Sequence, residues 1–239
     1  MKNPLISQLE RRDTLTQEER SALEGAISKV KEFAPDEDLV HDGERVSQSN
    51  LILEGFACRY KVLGDGRRQI TAFHLAGDFV DLHSFLLKKM DHGVAALTRC
   101  RVAFFPHEKL REISERYPHL TRMMWLLTLI DASAHREWIT GMGRRSAEGR
   151  LAHLFCEMFL RLDVAGMTDG LTFPFPITQH ELGDALGLSV VHTNRLLGRL
   201  RKLHLATFLS NKVTIENWEG LKELAEFDPT YLHLDSEPR

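Results

Sequence analysis

The chain has 239 residues, 43% of them hydrophobic, which is enough for two modest domains with cores of their own. A formal net charge of −3 excludes a protein that coats nucleic acid indiscriminately and leaves room only for a local basic face. Cys58, Cys100 and Cys156 are odd in number and far apart, which argues against a disulfide framework, a zinc site or a redox pair and fits reduced thiols in a cytoplasm.

Taken in order, residues 4–33 read as helical. Leu5, Leu9, Leu23, Ile27 and Val30 supply apolar spacing, and Thr16 precedes the acidic turn Gln17-Glu18-Glu19 as a helix start should. The opening MKNPLISQLERRD lacks the apolar run of a signal peptide, and no stretch approaches a membrane span. From Asp38 to Pro106 the pattern changes to short runs of Val, Ile, Phe and Leu. Turn signals at Asp42-Gly43, Gly64-Asp65-Gly66 and Gly77-Asp78 separate them. A hairpin is expected at Asp65-Gly66, and regular short strands without long intervening helices predict a β-sandwich or jelly roll.

After Pro106 the helical period returns. His107–Arg116 predicts one short helix that stops before Pro118. The next stretch, PHLTRMMWLLTLIDASAHREWITGMG, is long and apolar, and Leu120, Met123, Leu127, Ile130 and Ala134 follow alternating three- and four-residue steps. That spacing predicts a dimer seam, with Met124, Leu126, Trp138 and Ile139 widening the apolar face beyond it. Gly141-Met142-Gly143-Arg144-Arg145 is expected to interrupt the helix as a hinge. Ser146 can cap the next helix, which carries Leu151, Leu154, Phe155, Met158 and Leu162, and FPFPIT reads as an edge strand.

Thr178–Leu203 then reads as two short helices joined by a tight turn. Thr178 and Glu181 form a capping box, Gly187 ends the first helix and Ser189 caps the second. In the second, Thr193, Leu196, Leu197, Leu200 and Leu203 share one stripe, while Val191, His192, Asn194, Arg195, Gly198, Arg199 and Lys202 occupy the other face. A helix of this kind suits the major groove of DNA. Taken alone, the segment equally suits a helical hairpin with a solvated basic face. From Gly141 to Lys212 there are nine Lys/Arg against six Asp/Glu, a mild local excess of positive charge. Leu205–Leu209 and Lys212–Ile215 predict a two-stranded wing around Ser210-Asn211, Asn217 starts a last helix, and the tail from Asp228 is expected to be loose.

This order of parts resembles the Crp–Fnr family of bacterial transcription regulators over nearly the full length. The resemblance rests on the turn Gly77-Asp78-Phe79, the long helix, Arg150-Leu151-Ala152 and the segment TQHELGDALGLSVVHTNRLLGRL. It implies an α+β fold: a cyclic-nucleotide-binding-like jelly-roll sensor over 1–117, a dimerisation helix and hinge over 118–143, and a winged helix-turn-helix domain over 144–239. It further implies a homodimer on a near-palindromic double-stranded DNA operator, RNA polymerase as a further partner if it activates, and no membrane. Arg195 stands where the family places its main base-reading arginine, suited to the O6 and N7 of a guanine. Thr178 falls on a phosphate-contacting position, Ser189 on a backbone-positioning one, and Arg199 and Lys202 can add phosphate contacts. The full candidate surface is Thr178, Gln179, His180, Ser189, Val190, Val191, His192, Asn194, Arg195, Arg199 and Lys202. Many relatives carry a Glu where Val191 stands, so the operator is expected to depart from the usual half-site there.

Relatives that bind cyclic AMP use a Gly-Glu and an Arg-Ser pair where this chain has Asp81-Leu82 and His92-Gly93, so that ligand is not expected. The oxygen-sensing relatives hold an iron–sulfur cluster on four cysteines, more than this chain contains. His74 and His83 are candidate haem ligands, although a single histidine in a β domain is more often structural. Asp81, Leu82, His83, His92, Gly93, His135 and Arg136 form a candidate pocket for an anionic effector. Alternatively Phe79, Val80, Leu82, Phe85, Leu86 and Leu87 fill that space and no effector binds. No metal site, cofactor or catalytic residue is identified: HExxH, GxSxG, a phosphate-cradling glycine loop and a carboxylate pair are all absent. A competing class is a regulatory module whose winged helix docks to protein instead of DNA.

Overall fold

The computed structural model describes residues 3–238. Its contacts divide the described residues into two units, one comprising residues 3–66, 71–133 and 233–238, the other residues 67–70 and 134–232. The fold is α+β, as expected.

The first unit is a β-sandwich covered by helices. One sheet has the order β1-β7-β3, from Lys29–Phe33, Cys100–Pro106 and Gln48–Glu54. The other has the order β2-β6-β4-β5, from Asp38–Val40, Gly93–Ala96, Ala57–Val62 and Arg68–His74. Strand β7 shows why the layers form. Cys100, Val102 and Phe104 point into a core shared with Val40, Ala57, Val94 and Ala96 of the facing sheet. The alternate residues Ala103 and Phe105 join Leu5, Leu9, Leu23, Leu110, Ile113, Leu120 and Met123 beneath the helices. A strand buried on both faces must be apolar on both, and β7 is. The helices are α1 (Pro4–Glu10), α2 (Gln17–Gly25), the short α3 (Ser84–Leu87) and α4 (His107–Arg116), followed by α5 (Pro118–Arg144). At the turn after β5, Gly77 has φ +99°, and a Cβ there would stand 3.0 Å from the Pro4 carbonyl oxygen. Asp78 secures the turn by accepting from the Leu75 amide (2.9 Å) and from Gln8 Nε2 (2.9 Å).

The second unit is built on α6 (Ala147–Val164), α7 (Gln179–Leu186), α8 (Val190–Lys202) and α9 (Trp218–Ala225), with a three-stranded sheet of order β8-β10-β9. Its strands are Thr172–Pro174, Lys212–Ile215 and Ala206–Leu209. The edge strand at FPFPIT and the hairpin at Ser210-Asn211 are where the sequence placed them, with φ of 50° and 59° at the two turn residues, as a type I′ turn requires. Phe155, Phe173 and Phe175 are fully buried, and Phe159 packs on Trp218 with ring centroids 5.1 Å apart.

Four expectations are corrected. Residues 29–33 are a strand, because Lys29, Val30, Lys31 and Glu32 are exposed and the segment pairs with β7 instead of continuing the helix. Helix α5 runs through Gly141 and Gly143 to Arg144, and the chain breaks only at Arg145-Ser146. A glycine costs a helix only about 1 kcal/mol, which the long apolar helix absorbs. The tail from Asp228 is tied down: Leu232 is buried, and the Tyr231 hydroxyl donates to Glu157 Oε2 at 2.8 Å. In α8, Leu203 is 51% exposed and lies outside the buried stripe. Among the described residues no helix is long and apolar enough to cross a membrane.

Glu157 is 1% exposed and accepts from Trp138 Nε1 (3.0 Å), Tyr231 and Arg161 (3.3 Å), so this buried carboxylate is fully engaged. Beside it His153 stacks on Tyr231 at 5.7 Å. Burial, and secondarily the Arg145 guanidinium, push His153 down to about 3. Glu137, 3.7 Å from its Nε2, is engaged by Arg145 at 2.9 Å. A histidine whose folded-state pKa lies below its unfolded value of 6.5 takes up its proton preferentially on unfolding. Its contribution is therefore full above about 6.5 and lost as the pH falls towards about 3. Chemical denaturation between pH 7 and pH 3.5, followed by tryptophan fluorescence, is expected to show a falling stability whose slope is shallower in His153→Phe.

Candidate nucleic-acid interface

Each turn of the α7–α8 segment has a local cause. The Thr178 hydroxyl accepts from the Glu181 amide at 3.1 Å, while Glu181 Oε2 accepts from the Thr178 amide at 2.6 Å and its hydroxyl at 2.8 Å. That capping box satisfies amides that the first helical turn leaves without partners. Gly187 closes α7 at φ +66°, and the Leu188 amide donates back to the Gly183 carbonyl at 2.9 Å. The turn approaches so closely that a Cβ on Gly183 would lie 2.7 Å from the Leu188 carbonyl oxygen. Ser189 then caps α8 by accepting from the His192 amide at 3.3 Å.

On α8, Thr193, Leu196 and Leu200 are buried. Val191, Arg195, Gly198 and Lys202, at four-, three- and four-residue steps, lie opposite them. Thr178, His180, Ser189, Val190, Val191, His192, Asn194, Arg195, Arg199 and Lys202 are all exposed, and Gln179 is half-buried. Val191 is 61% exposed, an apolar residue on a polar face. Two residues differ from their expected setting. The Thr178 hydroxyl proton is committed to Glu181, so that hydroxyl does not donate to a phosphate while the cap is intact. Arg199 pairs with Glu148 at 2.7 Å, so a phosphate would have to compete with a carboxylate. Arg201, exposed at the end of α8, was missed by sequence reading, and its place in the basic run Arg199–Lys202 was the available signal.

The expected seam on α5 divides. Leu120 and Met123 are fully buried in the first unit's core, because the helix lies on its own β domain. They are therefore unavailable to a second chain, while Leu127, Ile130 and Ala134 are half-buried. The exposed apolar residues of α5 are instead Trp125 (64%), Leu129 (49%), Ile139 (70%) and Met142 (43%).

Of the residues expected to line an anionic pocket, those in the first unit have mixed settings. Asp81 is fully buried and accepts from the Asn50 amide (2.6 Å) and Asn50 Nδ2 (2.8 Å). Burial pushes it up to about 7 against those bonds and Arg59. Leu82 packs in the core under the helices, and the Tyr60 ring occupies the space beside Gly93. His135 and Arg136 belong to the other unit. Of the pocket-filling run, Leu86 and Leu87 are 76% and 61% exposed, whereas Val80 is buried. Within the first unit His83 and His92 come together, with ring centroids 5.1 Å apart.

Two family models match the chain: the cyclic nucleotide-binding domain over residues 30–117 and the Crp-like helix-turn-helix domain over residues 149–224. The fumarate and nitrate reduction regulatory protein of Vibrio cholerae is 30% identical over 220 residues, covering 92% of this chain and 88% of the relative. The protein of the same description from Escherichia coli K12 is likewise 30% identical, with the same coverage. Among solved structures, FixK2 from Bradyrhizobium japonicum superposes with a TM-score of 0.74 at 24% identity, covering 82% of this chain and 96% of that one. A CooA mutant from Carboxydothermus hydrogenoformans gives 0.70 at 15% identity over 91% and 99%. These last two likenesses speak for the fold. With a β-sandwich, a long helix and a capped winged helix-turn-helix in this order, the chain belongs to the Crp–Fnr family of DNA-binding transcription regulators.

Proposed function

We propose that the protein is a homodimer that reads a near-palindromic operator, one α8 entering the major groove of each half-site, with half-sites about 34 Å apart. The observation that carries this reading is the face of exposed Val191, Arg195 and Lys202 with half-buried Gly198, held outward by the buried Thr193, Leu196 and Leu200. In this reading residues 1–117 form the sensor domain, 118–143 pair the two chains, and 144–239 bind DNA. Arg195 donates to a guanine, Val191 meets a thymine methyl, and Lys202 and Arg201 contact phosphates. The seam follows Trp125, Leu129 and Ile139 in place of Leu120 and Met123. The protein acts in the cytoplasm, without catalysis, and RNA polymerase is its partner where it activates.

The reading is tested by selecting DNA from a random pool with the purified protein at fixed salt. One inverted repeat, with a G in each half and centres one helical turn apart, supports it. Failure to enrich any sequence, with or without cell extract as a source of effector, counts against it.

A further inference from the structure

We propose that His83, Asp91 and His92 form a binding site for one divalent first-row transition-metal ion of the Zn²⁺ class. The local fold brings them together. His83 stands at the start of α3, Lys88 reverses the chain in the left-handed conformation at φ 65°, and Asp91 and His92 lead into β6. One donor atom from each of the three side chains lies within 4.8 Å of the other two. Donors at bond lengths of about 2.0–2.2 Å in a tetrahedral shell stand roughly 3.3–3.6 Å apart, so closing on a metal requires a shift of up to about 1.5 Å at the widest pair. Asp91 is 79% exposed and free to make it.

The imidazoles are in the state a metal needs. Nε2 of His83 and Nε2 of His92 are both buried with no hydrogen-bond partner. A buried polar atom left so is costly and calls for an explanation such as a bound ion. Asp91 Oδ1 lies 2.6 Å from His92 Nδ1. A carboxylate there fixes the tautomer that leaves Nε2 as the donor, or turns to become the third ligand itself.

The surrounding charge decides the sign of the guest. The charged groups acting on both rings are Arg59, Asp91 and Asp131. Arg59 is already paired with Asp131 at 2.9 Å and donates to the Val80 carbonyl at 3.1 Å. With Arg59 paired to Asp131, the Asp91 carboxylate supplies the negative charge that a bound cation meets. Two imidazole nitrogens and one carboxylate suit Zn²⁺, Co²⁺, Ni²⁺ or Fe²⁺. Ca²⁺ and Mg²⁺ prefer all-oxygen shells, and Cu⁺ prefers sulfur.

The test is titration of the full chain, stripped with a chelator, first with Co²⁺ followed by visible absorption and then with Zn²⁺ as displacer. One ion per chain is expected, with binding lost in His83→Phe and in His92→Phe and weakened about 10–100-fold in Asp91→Asn. His41→Asn, a change at an exposed histidine outside the cluster, is expected to bind as the parent does. Circular dichroism establishes which variants fold. Absence of stoichiometric binding by the parent chain, or parental affinity in either folded histidine variant, overturns the site. Should both histidine variants fail to fold, unchanged affinity in Asp91→Asn overturns it.

Discussion

Leu129→Glu is expected to turn the protein into a monomer in solution and to lower its affinity for a full operator by about 10²–10⁴-fold, the range by which linking two binding modules exceeds either alone. Helix α5 spends one face on its own β domain, where Leu120, Met123 and Met124 are buried. What remains uncovered includes Trp125, Leu129 and Ile139 at 64%, 49% and 70% exposure, a line of large apolar side chains that monomeric proteins rarely present to water. A carboxylate at Leu129 sets two like charges against each other across a two-fold axis. Sedimentation should report the monomer, and titration of an isolated half-site should show little change because α8 is untouched. A Leu129→Glu protein that stays dimeric would place the seam elsewhere.

Arg195→Ala is expected to cost about 1–3 kcal/mol on the preferred operator and to flatten the preference at one G·C pair in each half-site. Arg195 is exposed on the face of α8 opposite Leu196 and Leu200, and its removal leaves the helix's buried contacts intact. The loss should therefore appear in binding and leave thermal stability nearly unchanged. Titration of four duplexes that differ only at that base pair separates the two effects. Lys202→Ala should instead weaken all four by a similar factor, since a phosphate contact carries no sequence information.

The parts of this molecule legible in the sequence are those fixed by neighbours along the chain. The capping box at Thr178 and Glu181, the stop at Gly187 and the wing turn at Ser210-Asn211 each depend on a few adjacent residues, and each is where the sequence put it. Features decided at a distance were harder. Helix α5 is apolar around much of its circumference, so spacing offers several stripes, and only the position of the β domain selects Leu120 and Met123 for the core. Residues 29–33 carry helix-compatible spacing, yet the backbone partners offered by β7 draw them into a strand.

The candidate site divides along the same line. The exposed face of α8 follows from helical periodicity. The pairing of Arg199 with Glu148, 51 residues earlier in the chain, follows only from the fold. His83 and His92 were noticed as histidines. Asp91 was overlooked, because what makes it relevant is its 2.6 Å approach to His92, where the spacing of a recognised metal motif is lacking.

The most direct test of DNA recognition through α8 is the salt dependence of binding to the selected operator and to a scrambled duplex of the same composition. The account predicts a log–log slope of about −0.9 per phosphate contact on the operator, with the scrambled duplex weaker at every salt concentration. Binding that ignores salt, or that treats the two duplexes alike, would contradict it and favour a winged helix that docks to protein.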